Sequence, residues 1–289
     1  MSSRLSFVDE VLGAVGRLLV LAAASAGALF IAGIALKPLL PGGLPTGRDG
    51  TIFFAILLAS AIAVGHLIAA ATIERGRWDP TGLGPGAWRP LALLMGPLLG
   101  VVAVLAPAVV LLLAGSVGFV PAPGAGWAAF AGNALFAIAT LALVEELVYR
   151  GYAIGVIAER WGNAAAVLLT TLVAVMTQLF DPTFTGLSVL GVMALTACLG
   201  AIRLRTGSVA ASWLAHVGFA ATQTALLHAP LRGSELPGPP GYALVAGPPA
   251  WLTGGAQGLS DGVAVAASLA LVTFLVFRPR RANTRPARV

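Results

Sequence analysis

Two adjacent carboxylates and an arginine, Glu145-Glu146-Leu-Val-Tyr-Arg150, stand inside a hydrophobic stretch of the chain. A charge near the centre of a bilayer costs at least ~3 kcal/mol on the most lenient scale. Charged groups therefore persist there mainly where they serve a function. Glu146 and Arg150 are four residues apart, the spacing that brings a Glu and an Arg together on one helix face. Pairing lets Arg150 offset one buried carboxylate. Glu145 points about 100° away from Glu146 on a helix and has no partner within it. That leaves Glu145 as the candidate general base, a carboxylate placed to take a proton from water near neutral pH. The alternative is that both carboxylates pair with Arg150 and only knit helices together.

Five further polar side chains occupy apolar segments. The helix that carries Glu145 and the next one form a hairpin turning near Trp161-Gly162-Asn163. At the helical rise, Glu145 and Gln178 both lie ~20 Å from that turn, so Gln178 is at the right depth to face Glu145. It reads equally well as a satisfied polar core residue. His216 lies ~12 Å from the inner end of its helix, either as a hydrogen-bonded core residue or as a catalytic or ligand-binding group. Gln223 follows on the same face. His228 is about 120° around and ~18 Å away from His216, so it reads as an outer interface residue outside the site. His66, in the second apolar segment, faces either the core or lipid. The sequence contains no HExxH, no Gly-Lys-Ser/Thr phosphate loop, no GxSxG and no CxxC, which are the spacings that announce metal, nucleotide, serine-hydrolase or thiol chemistry. A divalent metal would need Glu145 or Glu146 with His216 and perhaps His66. The spacing does not require one, so no cofactor and no metal are expected.

The elements that must hold these residues are read from composition. Of 289 residues, 58% are hydrophobic and only 10% charged, with mean hydropathy +0.93. Soluble domains carry roughly 25% charged residues, so the chain reads as one polytopic membrane domain spanning 1–289. At about 20 apolar residues per crossing, the pattern predicts about eight spans, near 18–36, 51–73, 91–118, 127–158, 164–180, 187–203, 208–229 and 260–277. The expected fold is an all-α membrane helix bundle. The first segment is too long for the apolar core of a signal peptide. With the N-terminus inside, fourteen of the 17 basic residues fall in inner segments. Only Lys37, Arg48 and Arg232 fall outside. This asymmetry places both termini in the cytoplasm and makes the basic tail 278–289 a topology anchor rather than a nucleic-acid contact. Lys37 is the single lysine and Cys198 the single cysteine. The first, with abundant Ala, Gly and Pro, points to a GC-rich bacterial genome and its inner membrane; the second excludes an intrachain disulfide. Pro97 and Pro107 are candidate kinks in the third span. The two GxxxG matches, Gly96–Gly100 and Gly151–Gly155, are expected to mark close helix contacts. The Pro- and Gly-rich segment 230–258 reads as an irregular outer loop.

At these residues the chain resembles the CPBP family of intramembrane endopeptidases, the CAAX-processing and bacteriocin-processing (Abi-type) proteins that include eukaryotic CAAX prenyl protease 2. Glu145-Glu146-Leu-Val-Tyr-Arg150 matches the family's EExxxR. Thr206-Gly207-Ser208 followed by Ser212-Trp-Leu-Ala-His216 matches the approach to its HxxxN motif, and Thr81-Gly-Leu-Gly84 resembles the loop after its second helix. The resemblance is strongest over about 135–220, within a family-like core of about 127–229. It implies a helix bundle with a cavity open to the membrane and cytoplasm. It also implies that Glu145 activates water, that Glu146 with Arg150 buttresses it, that the residue at 178 orients the water and that His216 stabilises the oxyanion. Two of the family's motifs differ, at three positions. FxxxH aligns as Ala174-Val-Met-Thr-Gln178, and HxxxN as His216-Val-Gly-Phe-Ala220. Gln178 still hydrogen-bonds water but takes up no proton, and Ala220 donates nothing. Loss of one oxyanion donor costs ~10²–10³ in rate in a well-studied protease. Gln223 is a conceivable substitute donor on the same face.

Two functions follow from the resemblance, and a third from the bundle alone. The chain is either a glutamate-based endopeptidase, weakened at its site, that cuts a membrane-associated peptide or protein, or an impaired relative that binds such a partner as a scaffold or immunity-type protein. A small transporter or channel would need a continuous water path between the two faces.

Overall fold

The computed structural model describes residues 2–40, 45–124, 126–181, 184–231, 233 and 241–278. Most of these residues are helical. The main helices are α1 (Ser2–Leu36), α2 (Gly47–Thr72), α3 (Pro90–Leu113), α4 (Trp127–Glu145), α5 (Tyr152–Gln178), α6 (Gly186–Thr206) and α7 (Val209–Ala221). The one-turn helix α8 (Ala250–Thr253) and α9 (Val263–Phe277) complete them. Among the described residues, four segments are long and apolar enough to cross a membrane: Asp9–Leu39, Asp49–Thr72, Pro90–Leu113 and Gly186–Thr206. Their outer faces are apolar too. Only 6% of the first segment's most apolar window is buried, and Leu19, Phe30, Ile31 and Ile34 point outward from it. Such a surface is stable in lipid and not in water, as expected of an integral membrane protein.

The packing of α3 on α7 centres the bundle. The two helices meet at a distance that only glycine permits. A Cβ on Gly96 would stand 2.3 Å from the Ala211 carbonyl oxygen, and one on Gly100 2.0 Å from that of Ala215. The first GxxxG is therefore a backbone-to-backbone seam, as expected. α3 runs through Pro97 and Pro107 as one helix. α6 packs on α9 and α5, α4 bridges α2 and α7, and α1 leans on α2 and α5. The main core cluster gathers Val104, Leu199, Phe219 and Leu269 from α3, α6, α7 and α9. Cys198 is buried in it as a small apolar residue.

The expected hairpin between the Glu145 helix and the next one is present. Gly162 adopts φ 82° and ψ 169° in the middle of α5, a conformation that suits a residue without a Cβ. The chain reverses there, and Tyr149 Oη meets Thr177 Oγ1 at 2.6 Å across the two arms. The predicted span 127–158 is itself interrupted. α4 ends at Glu145, a π-helical turn covers Glu146–Arg150, and Gly151 breaks the helix before α5.

The all-α expectation needs one correction. β1 (Val117–Pro121) and β2 (Tyr242–Ala246) pair antiparallel, Val117 opposite Ala246 and Pro121 opposite Tyr242. Residues 117 and 118 were expected in the third span, and 242–246 in an irregular loop. The strands are too short, and too densely flanked by Gly and Pro, to show a period-two pattern in the sequence. The pairing supplies it: Leu244 is buried and Val245 exposed, and Phe119 meets Tyr242 edge-on at 5.6 Å. Pro237, Pro239, Pro240, Arg232 and the tail beyond Arg278 lie outside the described residues.

Candidate active site

α4 delivers Glu145 and Glu146 to opposite surroundings at the point where its winding changes. Glu145, the last α-helical residue, is half-buried and lines a cavity of about 320 Å³ with His216 and Ala220 of α7 and Val192 and Leu195 of α6. It also borders a second, larger hollow beside Phe54 and Leu58 of α2. Glu146 is fully buried. Its Oε1 accepts from Arg150 Nη1 at 3.1 Å and lies 3.2 Å from His216 Nδ1. The i,i+4 pair expected from the spacing is therefore formed, and π-helical winding is frequent where a helix carries function.

The contact with His216 goes beyond the expected buttress. With Glu146 ionised, the near ring nitrogen of His216 donates to it, so Nε2 is the nitrogen left for the cavity. Glu146 thus orients His216, and Arg150 offsets its charge. Glu145 shares the cavity with His216 without being the carboxylate that holds it.

Gln178 is placed differently from its expected role. It ends α5, half-buried, and is not among the cavity-lining residues; Asp181, three residues on, is. The hairpin turns Thr177 toward Tyr149, and the next residue points about 100° away. Gln223 does not replace the missing donor. It is buried in a second π-helical turn, Thr222–Leu226. Its amide nitrogen donates to the Pro230 carbonyl and to Ser260 Oγ, and its oxygen accepts from the Ser260 N–H at 3.0 Å. These bonds fix the turn before α9 and use up the side chain. Ala220 presents only a methyl group to the cavity.

The other histidines lie elsewhere. His66 is fully buried, with Nδ1 2.8 Å from the Ile62 carbonyl and Nε2 accepting from the Tyr152 N–H at 2.9 Å. His228, expected at an outer interface, is buried, and its carbonyl accepts from the Leu244 N–H of β2. Among the described residues no three His, Cys, Asp or Glu side chains converge as a metal site. Three cavity-lining residues were not legible as site residues: Asp181, Ser260 and Asp261. Asp181 ends a hairpin arm at a turn, and Ser260 and Asp261, at the start of the predicted span 260–277, sit instead in a short turn before α9 begins at Val263. Asp261 is buried and accepts from the Ser188 and Ser260 hydroxyls.

Searches of curated proteins and of solved structures each found no match. Residues 127–222 match the family described as "Type II CAAX prenyl endopeptidase Rce1-like". The matched segment runs from the start of α4 into the second π-helical turn, and so contains Glu145, Glu146, Arg150 and His216 together. Over residues 127–222 the chain carries an Rce1-like domain of the CPBP type, set among apolar helices long enough to cross a membrane.

Proposed function

We propose that the chain is a glutamate-based intramembrane endopeptidase with a weakened site, acting on a membrane-associated peptide or protein. The observation that carries this reading is the shared cavity of Glu145 and His216, with His216 held from behind by Glu146. Glu145 takes a proton from water as the water oxygen attacks the peptide carbonyl. The carbonyl oxygen becomes an oxyanion. His216, protonated on Nε2, donates to it while Glu146 offsets the ring's charge. Glu145 then returns the proton to the departing amine as the C–N bond breaks. Gln178 keeps at most an indirect part in ordering the water. The proposed setting is a bacterial inner membrane, about eight crossings, both termini cytoplasmic, with lipid and the substrate as partners and no cofactor or metal.

A second reading has its own observation. Ala220 lines the cavity where the family carries a donor, and Gln223 is committed elsewhere. A chain with one oxyanion donor is a candidate binding or immunity-type protein that retains the family cavity. Restoring the donor separates the two. Purified protein in liposomes is given membrane-anchored peptides, and wild type, Glu145→Gln and Ala220→Asn are compared. The endopeptidase reading expects Ala220→Asn to raise the rate by up to ~10²–10³, the contribution of one such donor. Cleavage by neither wild type nor Ala220→Asn, with peptide binding retained, favours the second reading.

A further inference from the structure

The helix that carries the carboxylates fails at Gly151, whose ψ is −126°. A break of this kind leaves a carbonyl on one side and an N–H on the other without helical partners. Two buried side chains from other helices take them. The Arg150 carbonyl accepts from Arg203 Nε at 2.9 Å, and the Tyr152 N–H donates to His66 Nε2 at 2.9 Å. His66 Nδ1 faces the Ile62 carbonyl, so Nδ1 carries the ring proton and Nε2 is the acceptor. Arg203 extends further, to the carbonyls of Pro80 at 3.1 Å and Asp79 at 3.4 Å.

Both side chains are received by glycines. A Cβ on Gly151 would stand 2.1 Å from His66 Nε2, and one on Gly82 2.3 Å from Arg203 Nε. The Thr81-Gly82-Leu-Gly84 loop is thereby explained: it makes room for a guanidinium. Neither His66 nor Arg203 lines the Glu145 cavity. A buried guanidinium and a buried imidazole are costly unless bonded, and the bonds of this pair meet at the helix break.

We propose that His66 and Arg203 are positioning residues that lock the π-helical turn, and so decide that Glu146 faces His216 while Glu145 faces the cavity. A slip of that turn by one residue rotates the pair about 100° and exchanges the two carboxylates. The proposal rests on the endopeptidase reading only for its consequence in rate; the geometric part is testable without turnover.

Dicyclohexylcarbodiimide, a hydrophobic carboxyl reagent, is applied to the reconstituted full chain, and the modified glutamate is located by peptide mass. Wild type is expected to react at Glu145 and to spare Glu146. His66→Ala and Arg203→Met are expected to raise the Glu146:Glu145 ratio about tenfold, the low end of what losing an outer supporting partner does at other sites. His66→Gln, which keeps an acceptor, is expected to restore the ratio. Thr170→Val, a buried change in α5 away from the break, is expected to leave it unchanged. If the first two variants do not fold, Arg203→Lys decides, because an ammonium cannot span the same carbonyls. A wild-type ratio in the folded variants, or the same rise in Thr170→Val, overturns the proposal. A shifted ratio in a chain that cleaves nothing upholds the positioning and sinks the endopeptidase reading instead.

Discussion

Glu146 meets Arg150 and His216 at once while fully buried, and that double contact separates its role from that of its neighbour. Removing one partner of a buried ion pair leaves an uncompensated charge and costs ~3–5 kcal/mol. Glu146→Leu is therefore expected to lower the melting temperature in detergent sharply, because Arg150 stays behind. Glu145→Gln keeps the shape of a half-buried side chain and is expected to change stability by less than ~0.5 kcal/mol, the usual range for positions without such a network. Equal losses in the two variants would contradict this division. The Glu146–Arg150 pair was legible because four residues is a helical contact distance. The His216 contact was not, since 70 residues separate it from Glu146 and only the packing of α7 on α4 supplies it. The direction of Gln178 was not legible for a related reason. Its depth follows from the helical rise, but its direction depends on how the hairpin rolls, and the Tyr149–Thr177 contact sets that.

At the scale of elements, the α3–α7 seam depends on the absence of a side chain at Gly100. A Cβ there meets backbone, which cannot move aside as a side chain can. Gly100→Ala is expected to cost ~1–3 kcal/mol or more, as overpacking does. Gly27→Ala in α1, where a Cβ meets nothing within 4 Å, is expected to be tolerated. Melting of the two variants side by side checks this; equal behaviour would remove the seam from the account. The helices themselves were legible, because long apolar runs separated by Arg, Gly and Pro announce their own ends. The π-helical turns and the β1–β2 ribbon were not. A π-helical turn differs from an α-helix by a single residue in winding, which no apolar pattern over five residues reveals. The ribbon pairs segments more than a hundred residues apart across strands of five residues each.

At the scale of the whole molecule, a cluster of charged side chains ties α1 and the segment after α2 to α5. There Arg17 of α1 bonds Tyr152 and Glu159 of α5, and Glu74 accepts from Arg17, from Arg77 and from Tyr152 Oη at 2.5 Å. Burial pushes the Glu74 carboxyl up, but the Tyr152 bond and the arginines outweigh it and hold the group below its ordinary value. A depressed carboxyl contributes stability that is fully present above its unfolded value of about 4.3 and is lost as pH falls through the lower folded value. Wild type is thus expected to lose melting temperature more steeply below that pH than Glu74→Gln; parallel curves would contradict the network. Orientation is open to a direct check, since Cys198 is the single cysteine and is buried. In a Cys198→Ala background, Gly86→Cys before α3 is expected to react with an impermeant maleimide only from the cytoplasmic side, and Gly118→Cys in β1 only from the opposite side. The reverse pattern would invert the topology read from the arginines. The central claim, that Glu145 is the chemical group of a peptidase site, is met most directly by cleavage itself. Membrane-anchored peptides in liposomes are to be cut by wild type and left intact by Glu145→Gln; undiminished cleavage by Glu145→Gln would contradict the account.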